Sequence, residues 1–255
     1  MERLSATLIT RNEERNIAEA LESVSWADEI VVVDSGSRDA TVEICRRFTD
    51  KVLHRDWTGY VDQKNFALSQ ARNDWILSID ADERPSPGLC LEIQELARKG
   101  FRKPGYRIPR VAFFMGRWIR HGDWYPDYQL RLFDRRCGRW AGGRVHESVR
   151  TGQSPELLRG EIYHYTYRSL SDYLGRLETY SSLAALDYDE QGRTATPLRL
   201  LGNPLAAFLK AYLVRRGFLD GAPGLAVAVM GAVSVFFKYA KLYELKLGSA
   251  AKPVL

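Results

Sequence analysis

The sequence predicts an α/β fold: a mostly parallel, doubly wound sheet flanked by helices, followed by a C-terminal tail that is helical, basic and partly apolar. Two observations predict the sheet. Apolar runs with β-branched residues alternate with segments of helical periodicity throughout residues 1–100. The run "EIVVVD" (29–34) is almost continuously apolar, which is typical of a parallel strand buried on both faces.

The elements of this first part alternate along the chain. Strands are predicted over residues 4–9, 29–34, 51–55 and 75–80. Helices are predicted within the intervening segments 11–24, 35–48, 60–72 and 86–100. Asp39 is the expected N-cap of the second helix, and Ser86 that of the fourth, where Pro87 takes the first helical position.

Residues 105–150 differ in character. They are aromatic and rich in arginine, with short strand-like runs, and they predict a mixed or antiparallel extension that carries part of the functional site. A further helix is predicted over 167–192, after which Gly192 and Pro197 mark a boundary.

Acidic side chains crowd the end of the strand "WILSID". Asp80, Asp82 and Glu83 lie within four residues, and crowded carboxylates resist ionising together unless a cation lies among them. Two carboxylates on a short turn suit Mg²⁺ or Mn²⁺, which in turn bridges nucleotide phosphates. Asp34 ends another buried strand at the same predicted edge of the sheet, although a single strand-end Asp is also a common helix cap.

Taken in order, these motifs resemble a known family. The segments "LSATLITRNEERNIAEALESVSWADEIVVVDSGSRDATVEI" and "KNFALSQARNDWILSIDADE" resemble family 2 of the inverting glycosyltransferases, which have the Rossmann-like GT-A fold. "YPDYQLRLFDRRCGRWAGGRVHESV" (125–149) is similar, less tightly, to bacterial lipopolysaccharide inner-core β-1,4-glucosyltransferases. That resemblance implies transfer of glucose from UDP-glucose to a heptose of the growing core.

The resemblance also implies roles for individual residues. The residues that would bind the nucleotide sugar are Thr10, Asn12, Glu13, Asp34, Lys64 and Asp80. Asp82 would bind Mg²⁺ or Mn²⁺, with Asp80 beside it or holding a metal-bound water. Many members carry a second Asp after Asp34, where this chain has Ser35, so the contact to the base rests on Asp34 alone. The family pattern divides the chain into a nucleotide-binding half (1–100), an acceptor half (101–198) and a tail (199–255).

The implied reaction needs a cation for the leaving diphosphate and a general base for the acceptor hydroxyl. Arg131 is a candidate diphosphate clamp, with an ordinary surface salt bridge as the alternative. The "ED" pair of many members is missing, so the base is predicted from its surroundings. Glu147, beside His146, is the first choice and Asp127 the second, while His164 is expected to be a packed histidine.

Charge and hydropathy set the tail apart. Residues 199–255 hold eight of the 37 Lys and Arg residues but two of the 32 acids, so they carry more than the net charge of +5. This argues against a body that binds nucleic acid and for a tail that faces an anionic surface. The run 223–237 has 15 residues without charge, whereas a spanning helix needs about 20. It therefore predicts a buried core helix, an interfacial helix or one part of a helical hairpin with residues 203–214. The basic residues on both sides of the run favour peripheral association with the cytoplasmic face of the inner membrane, with a core or oligomer contact as the alternative.

Two other functions stay open. A polyprenyl-phosphate sugar transferase would share the first 84 residues but would be expected to carry clear membrane-spanning helices. A sugar-nucleotide-binding protein with a dead site would release no nucleoside diphosphate, and the intact Asp34, Asp80 and Asp82 favour an enzyme over it.

Overall fold

The computed structural model describes residues 2–142, 147–167 and 169–250, with side chains up to 247. The chain forms two compact units. The first is built from residues up to Val111 and from Asp127–Tyr165, and the second from Ala112–Pro126 and the residues from Thr166 onward. The predicted division of the chain at residues 100 and 198, into a nucleotide-binding half, an acceptor half and a tail, was based on function. It stays a prediction.

A parallel sheet forms the first part of the first unit. Its strands are β1 (Leu4–Thr10), β2 (Glu29–Asp34), β3 (Val52–His54) and β4 (Trp75–Asp80), in the order β3-β2-β1-β4. The helices between and after them are α1 (Ile17–Ser23), α2 (Thr41–Cys45), α3 (Tyr60–Gln70) and α4 (Pro87–Lys99). The predicted alternation of strands and helices is confirmed, because strands buried on both faces leave an apolar run that sequence reveals directly.

The sheet continues with antiparallel strands, as the composition of residues 105–150 predicts. The further strands are β5 (Glu83–Pro85), β6 (Gly105–Phe114), β7 (Arg117–Ile119), β8 (Asp127–Asp134), β9 (Gly138–Gly142), β10 (Glu147–Thr151), β11 (Glu156–Leu157) and β12 (Ile162–His164). The path from β4 runs β4-β8-β6-β12-β5, and β4 pairs with β8 antiparallel. The strands β9 and β10 form a separate antiparallel hairpin.

Two helix caps were predicted from the sequence, at the starts of α4 and α2. The Ser86 hydroxyl accepts the N–H of Leu89 at 3.2 Å, which confirms the predicted cap of α4. The N-cap position of α2 is Ala40, one residue later than predicted. Asp39 nevertheless accepts the N–H of Thr41 at 3.1 Å, so its carboxylate serves the same helix start from one position earlier.

The register of the parallel strands brings the predicted acids to one edge. Thr10 lies opposite Asp34 on β2, and its neighbour Ile9 lies opposite Asp80 on β4. All three strands run in the same direction, so the acids of β2 and β4 emerge at the same carboxyl edge as the loop after β1.

The second unit is helical. It contains α5 (Leu170–Glu190), α6 (Pro197–Leu209) and α7 (Gly221–Ala250), with a π turn at Lys210–Val214 and a 3₁₀ turn at Gly217–Asp220. One face of α7 packs with α5 through Val227, Met230 and Leu177. Asp220 is buried and accepts the backbone N–H groups of Arg120 and His121, which fixes the start of α7 inside this unit.

The tail helix is longer than its apolar run suggests. Among the described residues, one helix, Gly217–Leu247, is long and apolar enough by length and composition to cross a membrane. The expectation that the tail has no helix of spanning length is therefore wrong. The helix α7 continues beyond the 15-residue apolar run and includes the three lysines that follow it. Charged residues do not end a helix whose neighbouring residues pack against another helix, as α7 packs against α5.

Candidate active site

Asp34 closes the loop that follows β2. Its Oδ2 atom accepts the N–H groups of Gly36 at 2.9 Å and Ser37 at 3.0 Å, and its Oδ1 atom accepts the Ser37 hydroxyl. The residues of this loop are small, and Gly36 has a φ of +82°, a left-handed conformation that glycine adopts without strain. A buried Asp34 thus shapes the loop on which a ligand would lie.

The loop after β1 is tied to the loop after β2. Asn12 has a φ of +55°, and its side-chain oxygen accepts the N–H of Arg38 at 2.8 Å. The N–H of Glu13 donates to the Thr41 hydroxyl at 2.8 Å. Thr10 is buried, and its hydroxyl has no hydrogen-bond partner among the described residues. The structure thus brings the predicted nucleoside residues Thr10, Asn12, Glu13 and Asp34 to one end of the sheet.

Asp80 is paired with two cations. Its Oδ1 atom lies 2.9 Å from the Lys64 Nζ atom, and its Oδ2 atom accepts from Arg131 Nη2 at 2.5 Å. Burial alone would raise the pKa of Asp80, but Arg131 and Lys64 hold the pKa well below its ordinary value. Both oxygens of Asp80 therefore have a cationic partner supplied by the protein.

Glu83 belongs to this cluster, although the sequence interpretation left it without a role. Its side chain is completely buried, and its Oε1 atom accepts from Arg131 at 2.6 Å and from Arg110 at 2.8 Å. Its Oε2 atom accepts the N–H of Asp80 at 3.0 Å. Burial would raise the pKa of Glu83, whereas Arg131 lowers it, and the net shift is downward. The signal in the sequence was the third acid of the set Asp80, Asp82 and Glu83, but the partners of Glu83 lie far along the chain.

Arg131 is buried between these carboxylates. Burial would lower the pKa of its guanidinium, but Asp80 and Glu83 raise the pKa above its ordinary value, so it stays charged. Its Nε and Nη1 atoms have no hydrogen-bond partner among the residues that the structure describes. Both atoms are buried, and the predicted role of Arg131 as a diphosphate clamp stays a prediction.

Asp82 has different surroundings from Asp80. Its side chain is 20% exposed, and its Oδ2 atom lies 3.4 Å from His164 Nε2. His164, expected to be a packed histidine, thus joins the carboxylate cluster through its strand β12, which pairs with β5. Within the described residues, no group of three or more His, Cys, Asp or Glu is placed to hold one metal ion. A carboxylate with an imidazole would be two ligands, which leaves positions for a substrate or water.

The two candidate bases differ in how fully they are paired. The Glu147 Oε1 atom lies 3.3 Å from the Lys64 Nζ atom. The Asp127 Oδ2 atom accepts from both Arg110 Nε and Nη2, at 2.8 and 2.6 Å, and its Oδ1 atom accepts from Gln129. Both acids belong to the cluster, but Asp127 is the more fully occupied. His146, the predicted neighbour of the base, lies outside the described residues.

The hairpin β9–β10 carries Glu147 into the cluster. The Asn65 side chain bonds the backbone of Trp140 in both directions, at 2.9 and 3.0 Å, which anchors β9 to α3. The Trp140 ring lies 4.3 Å from the Lys64 Nζ atom and 5.5 Å from the Arg131 guanidinium carbon. Trp140 is buried, so it excludes water beneath these two cations and strengthens their interactions with the carboxylates.

The charges of this cluster do not balance. In the described part of the chain it contains three cationic side chains, Lys64, Arg110 and Arg131, and five carboxylates, Asp80, Asp82, Glu83, Asp127 and Glu147. These side chains leave two negative charges uncompensated. The least compensated carboxylate is Asp82. A divalent cation at Asp82 would complete the balance, so the donor set fits Mg²⁺ or Mn²⁺.

Comparison with known proteins identifies a family for the chain. The family model described as "Glycosyl transferase family 2" matches residues 5–150. An uncharacterized glycosyltransferase of Rickettsia typhi is 34% identical over 261 residues, covering 98% of this chain and 89% of the relative. The lipopolysaccharide core biosynthesis glycosyltransferase LpsC of Rhizobium meliloti is 31% identical over 248 residues, covering 94% of this chain and 92% of that protein. A solved structure of S. aureus TarS in complex with UDP-GlcNAc aligns with a TM-score of 0.49 and 14% identity, over 97% of this chain and 92% of that chain.

Proposed function

The chain belongs to glycosyltransferase family 2, and from that membership we propose that it transfers a hexosyl group from a UDP-sugar, glucose being the first choice, to a hydroxyl of a lipopolysaccharide-core or related glycolipid acceptor. The observation that carries the proposal is the cluster at the end of β4, where Asp80 is neutralised by Lys64 and Arg131 while Asp82 is not. The acceptor class rests on the relative named for lipopolysaccharide core biosynthesis.

The nucleotide sugar lies along the carboxyl edge of the parallel strands. Asp34 and the loop that it closes contact the base or ribose, with Thr10, Asn12 and Glu13 on the neighbouring loop. Arg131 lies buried beneath the end of β4 and contributes its positive charge to the diphosphate site. Lys64 and Asp80 form an ion pair beside it, so the positive charge that meets the diphosphate is already oriented.

Asp82 and His164 hold the divalent cation in this proposal. When bound, Mg²⁺ or Mn²⁺ stabilises the negative charge that develops on the leaving diphosphate. Because Asp80 has a cationic partner on each oxygen, the direct ligand among the two predicted metal carboxylates is Asp82.

Glu147 is the proposed general base. It takes the proton of the acceptor hydroxyl while that oxygen attacks the anomeric carbon from the side opposite the diphosphate, which inverts the configuration. One of its oxygens has a single long contact to Lys64, so the carboxylate can turn toward a substrate. Asp127 instead holds the Arg110 fork in place.

We also propose peripheral association with an anionic membrane. No residue of α6 is buried, and Leu198 and Leu201 are 81% and 72% exposed, with Leu205 on the same helical face. Lys210 follows this helix and is exposed. The lysines of α7 contribute less than the sequence suggested, because Lys241 pairs with Glu178 and Lys246 with Asp189 on α5.

The polyprenyl-phosphate alternative gains from the long helix Gly217–Leu247, since helix length no longer argues against it. Acceptor preference separates the two functions. A panel of sugar nucleotides with Mg²⁺ or Mn²⁺, scored by thermal shift and then by UDP release, tests the donor. Purified lipopolysaccharide core and a polyprenyl phosphate then compete as acceptors. Transfer to the core is the expected result, and transfer to the polyprenyl phosphate alone would overturn the acceptor class.

A further inference from the structure

The hairpin β9–β10 has two faces of opposite character. Side chains alternate along each strand, so Trp140 and Val149 are buried while Arg139 and Arg150 point outward and are exposed. The register places Arg139 directly opposite Arg150. Like charges directly opposite each other destabilise an antiparallel pair. Among the described residues, neither arginine makes an ion pair or a side-chain hydrogen bond that would offset this repulsion.

Two further arginines complete this outer face, and both are fixed. Arg136 forms a two-point contact with the Asp134 carboxylate, at 2.6 to 3.0 Å. Arg135 Nη1 donates to the backbone oxygen of Ala71 at 2.6 Å. Together with Arg139 and Arg150 these residues line a cavity of about 390 Å³. Two of its guanidinium groups are thus oriented by the protein, and two are available to a ligand.

We propose that this arginine cavity, lined by Arg135, Arg136, Arg139 and Arg150, binds a phosphate or carboxylate group carried by the saccharide acceptor. A guanidinium presents parallel N–H donors that match the two oxygens of such a group. The cavity is on the face of the hairpin opposite Trp140, which contacts Lys64 of the donor site. The donor diphosphate therefore has its own cations, and the outer arginines serve a second anion.

The hairpin couples this cavity to the proposed base. Arg150 lies three residues after Glu147 on β10, a separation of about 10 Å along a strand. Alternation along the strand puts these two side chains on opposite faces of the hairpin, so an anionic acceptor would contact both by passing around the edge of the hairpin. In this respect the inference rests on the proposed function, because it assigns the anion to the acceptor.

The test uses mannose 6-phosphate as the probe, with the full chain saturated by UDP and Mg²⁺ so that the donor site is filled. Binding is followed by the Nε–Hε signals of arginine in NMR spectra. The variant is Arg139→Gln/Arg150→Gln. The matched control, Arg46→Gln/Arg107→Gln, removes the same charge from exposed positions of the same unit. We expect the wild type and the control to bind equally, and the cavity variant to bind at least tenfold more weakly.

The remaining arms separate the sources of the anion. Inorganic phosphate should bind more weakly than mannose 6-phosphate, and uncharged mannose should not shift the arginine signals. Equal affinity for inorganic phosphate would overturn the saccharide assignment, as would binding to phosphatidylglycerol vesicles that the cavity variant alone loses. Unchanged mannose 6-phosphate affinity in the cavity variant would overturn the site itself.

Two controls make failure of the site distinct from failure of the proposed function. UDP release from UDP-glucose without acceptor should be the same in the cavity variant and the wild type. If neither the wild type nor the cavity variant releases UDP, the proposed function fails, while the mannose 6-phosphate titration still tests the site. Relief of the Arg139–Arg150 repulsion should leave the Tm equal or higher. A clear fall in Tm would mean that the pair stabilises the hairpin, which contradicts a ligand-binding role.

Discussion

Asp80 and Asp82 are two positions apart in sequence, yet their carboxylates have different partners in the folded protein. Asp80 ends β4 and points to Lys64 and Arg131, whereas Asp82 follows the strand and has His164 as its neighbour. Strand alternation places residues i and i+2 on the same face only while the strand continues, and here it ends between them. A spacing of two in sequence therefore does not make the two carboxylates equivalent ligands.

We expect Asp82→Asn to abolish sugar transfer and to weaken metal-dependent UDP binding sharply. The amide cannot supply the negative charge that a divalent cation needs, while the fold loses no buried partner. UDP titrations with and without Mn²⁺, followed calorimetrically, measure the loss. Asp50→Asn, at an exposed position, is the matched control. Full activity in EDTA, or in the Asp82 variant, would exclude the metal role.

We expect Glu147→Gln to lower turnover by about two to four powers of ten, the usual contribution of a general base, with UDP affinity nearly unchanged. Steady-state kinetics and a UDP titration separate the two effects. Asp127→Asn is the informative comparison, because it disturbs Arg110 rather than a proton transfer. If the Asp127 variant shows the pattern predicted for Glu147 and the Glu147 variant does not, the base is Asp127.

At the scale of elements, the buried ion network connects strands that are separate in sequence. Glu83 on β5 accepts from Arg110 on β6 and from Arg131 on β8, and Arg131 in turn reaches Asp80 on β4. Each charge has an oriented partner, so the network is stable only as a whole. It holds the carboxyl end of β4 in place and sets the position of the site.

Removal of the Glu83 charge should destabilise the protein by about 3–5 kcal/mol in Glu83→Gln, because the buried Arg131 and the partly buried Arg110 lose their shared counter-ion. Urea unfolding at pH 7 measures this change. Glu43→Gln is the control, since its pair with Arg47 is exposed and should contribute little. An unchanged urea midpoint for the Glu83 variant would contradict the role of the network.

The same network predicts a dependence of stability on pH. The folded pKa values of Asp80 and Glu83 lie below their ordinary values. Their stabilisation is therefore fully present above the ordinary carboxyl range, about pH 4, and is lost as the pH falls through the lowered folded values. Urea midpoints at pH 7, 5 and 3 should fall at the lowest pH, and less steeply in Glu83→Gln. Parallel pH profiles for variant and wild type would refute this assignment.

The cap of α4 gives a simpler prediction. The Ser86 hydroxyl accepts N–H groups of both Leu89 and Glu161, at 3.2 and 3.3 Å, so it joins the helix to the segment before β12. Ser86→Ala should cost about 1 kcal/mol, or about 2–4 °C in Tm. Ser69→Ala, at an exposed serine in α3, should change the Tm little. Equal melting of the two variants would show that the cap contributes nothing.

At the scale of the whole molecule, exposed leucines distinguish the second unit. Leu198 and Leu201 lie one turn apart on α6 and remain in water unless another surface covers them. An anionic bilayer matches both this apolar face and the excess positive charge of the tail. Peripheral association would place the enzyme beside a lipid-linked acceptor.

We expect the full chain to float with phosphatidylglycerol vesicles at low salt and to be released by high salt, which screens the basic residues. Leu198→Ser/Leu201→Ser should lose flotation. Leu91→Ser/Leu157→Ser, which removes exposed leucines of the first unit, should keep it. Protein that stays in solution with these vesicles, or that resists both high salt and alkaline carbonate, would rule out peripheral binding.

The sequence by itself determined the parallel strands and the cap of α4. The parallel strands were visible because burial on both faces requires continuous apolar runs, and the Ser86 cap because its partners lie within one turn. The ordered motifs through "DADE" also identified the family.

Tertiary structure decided which charges meet. Arg131 and Asp80 are 51 residues apart, and Lys64 and Glu147 are 83 apart. Residue types show that a side chain is charged, but its partner depends on how strands are ordered and in which register they pair. The pairing that separates Asp80 from Asp82, buries Glu83 and brings His164 beside Asp82 therefore exists only in the folded sheet, where distance through space replaces distance along the chain.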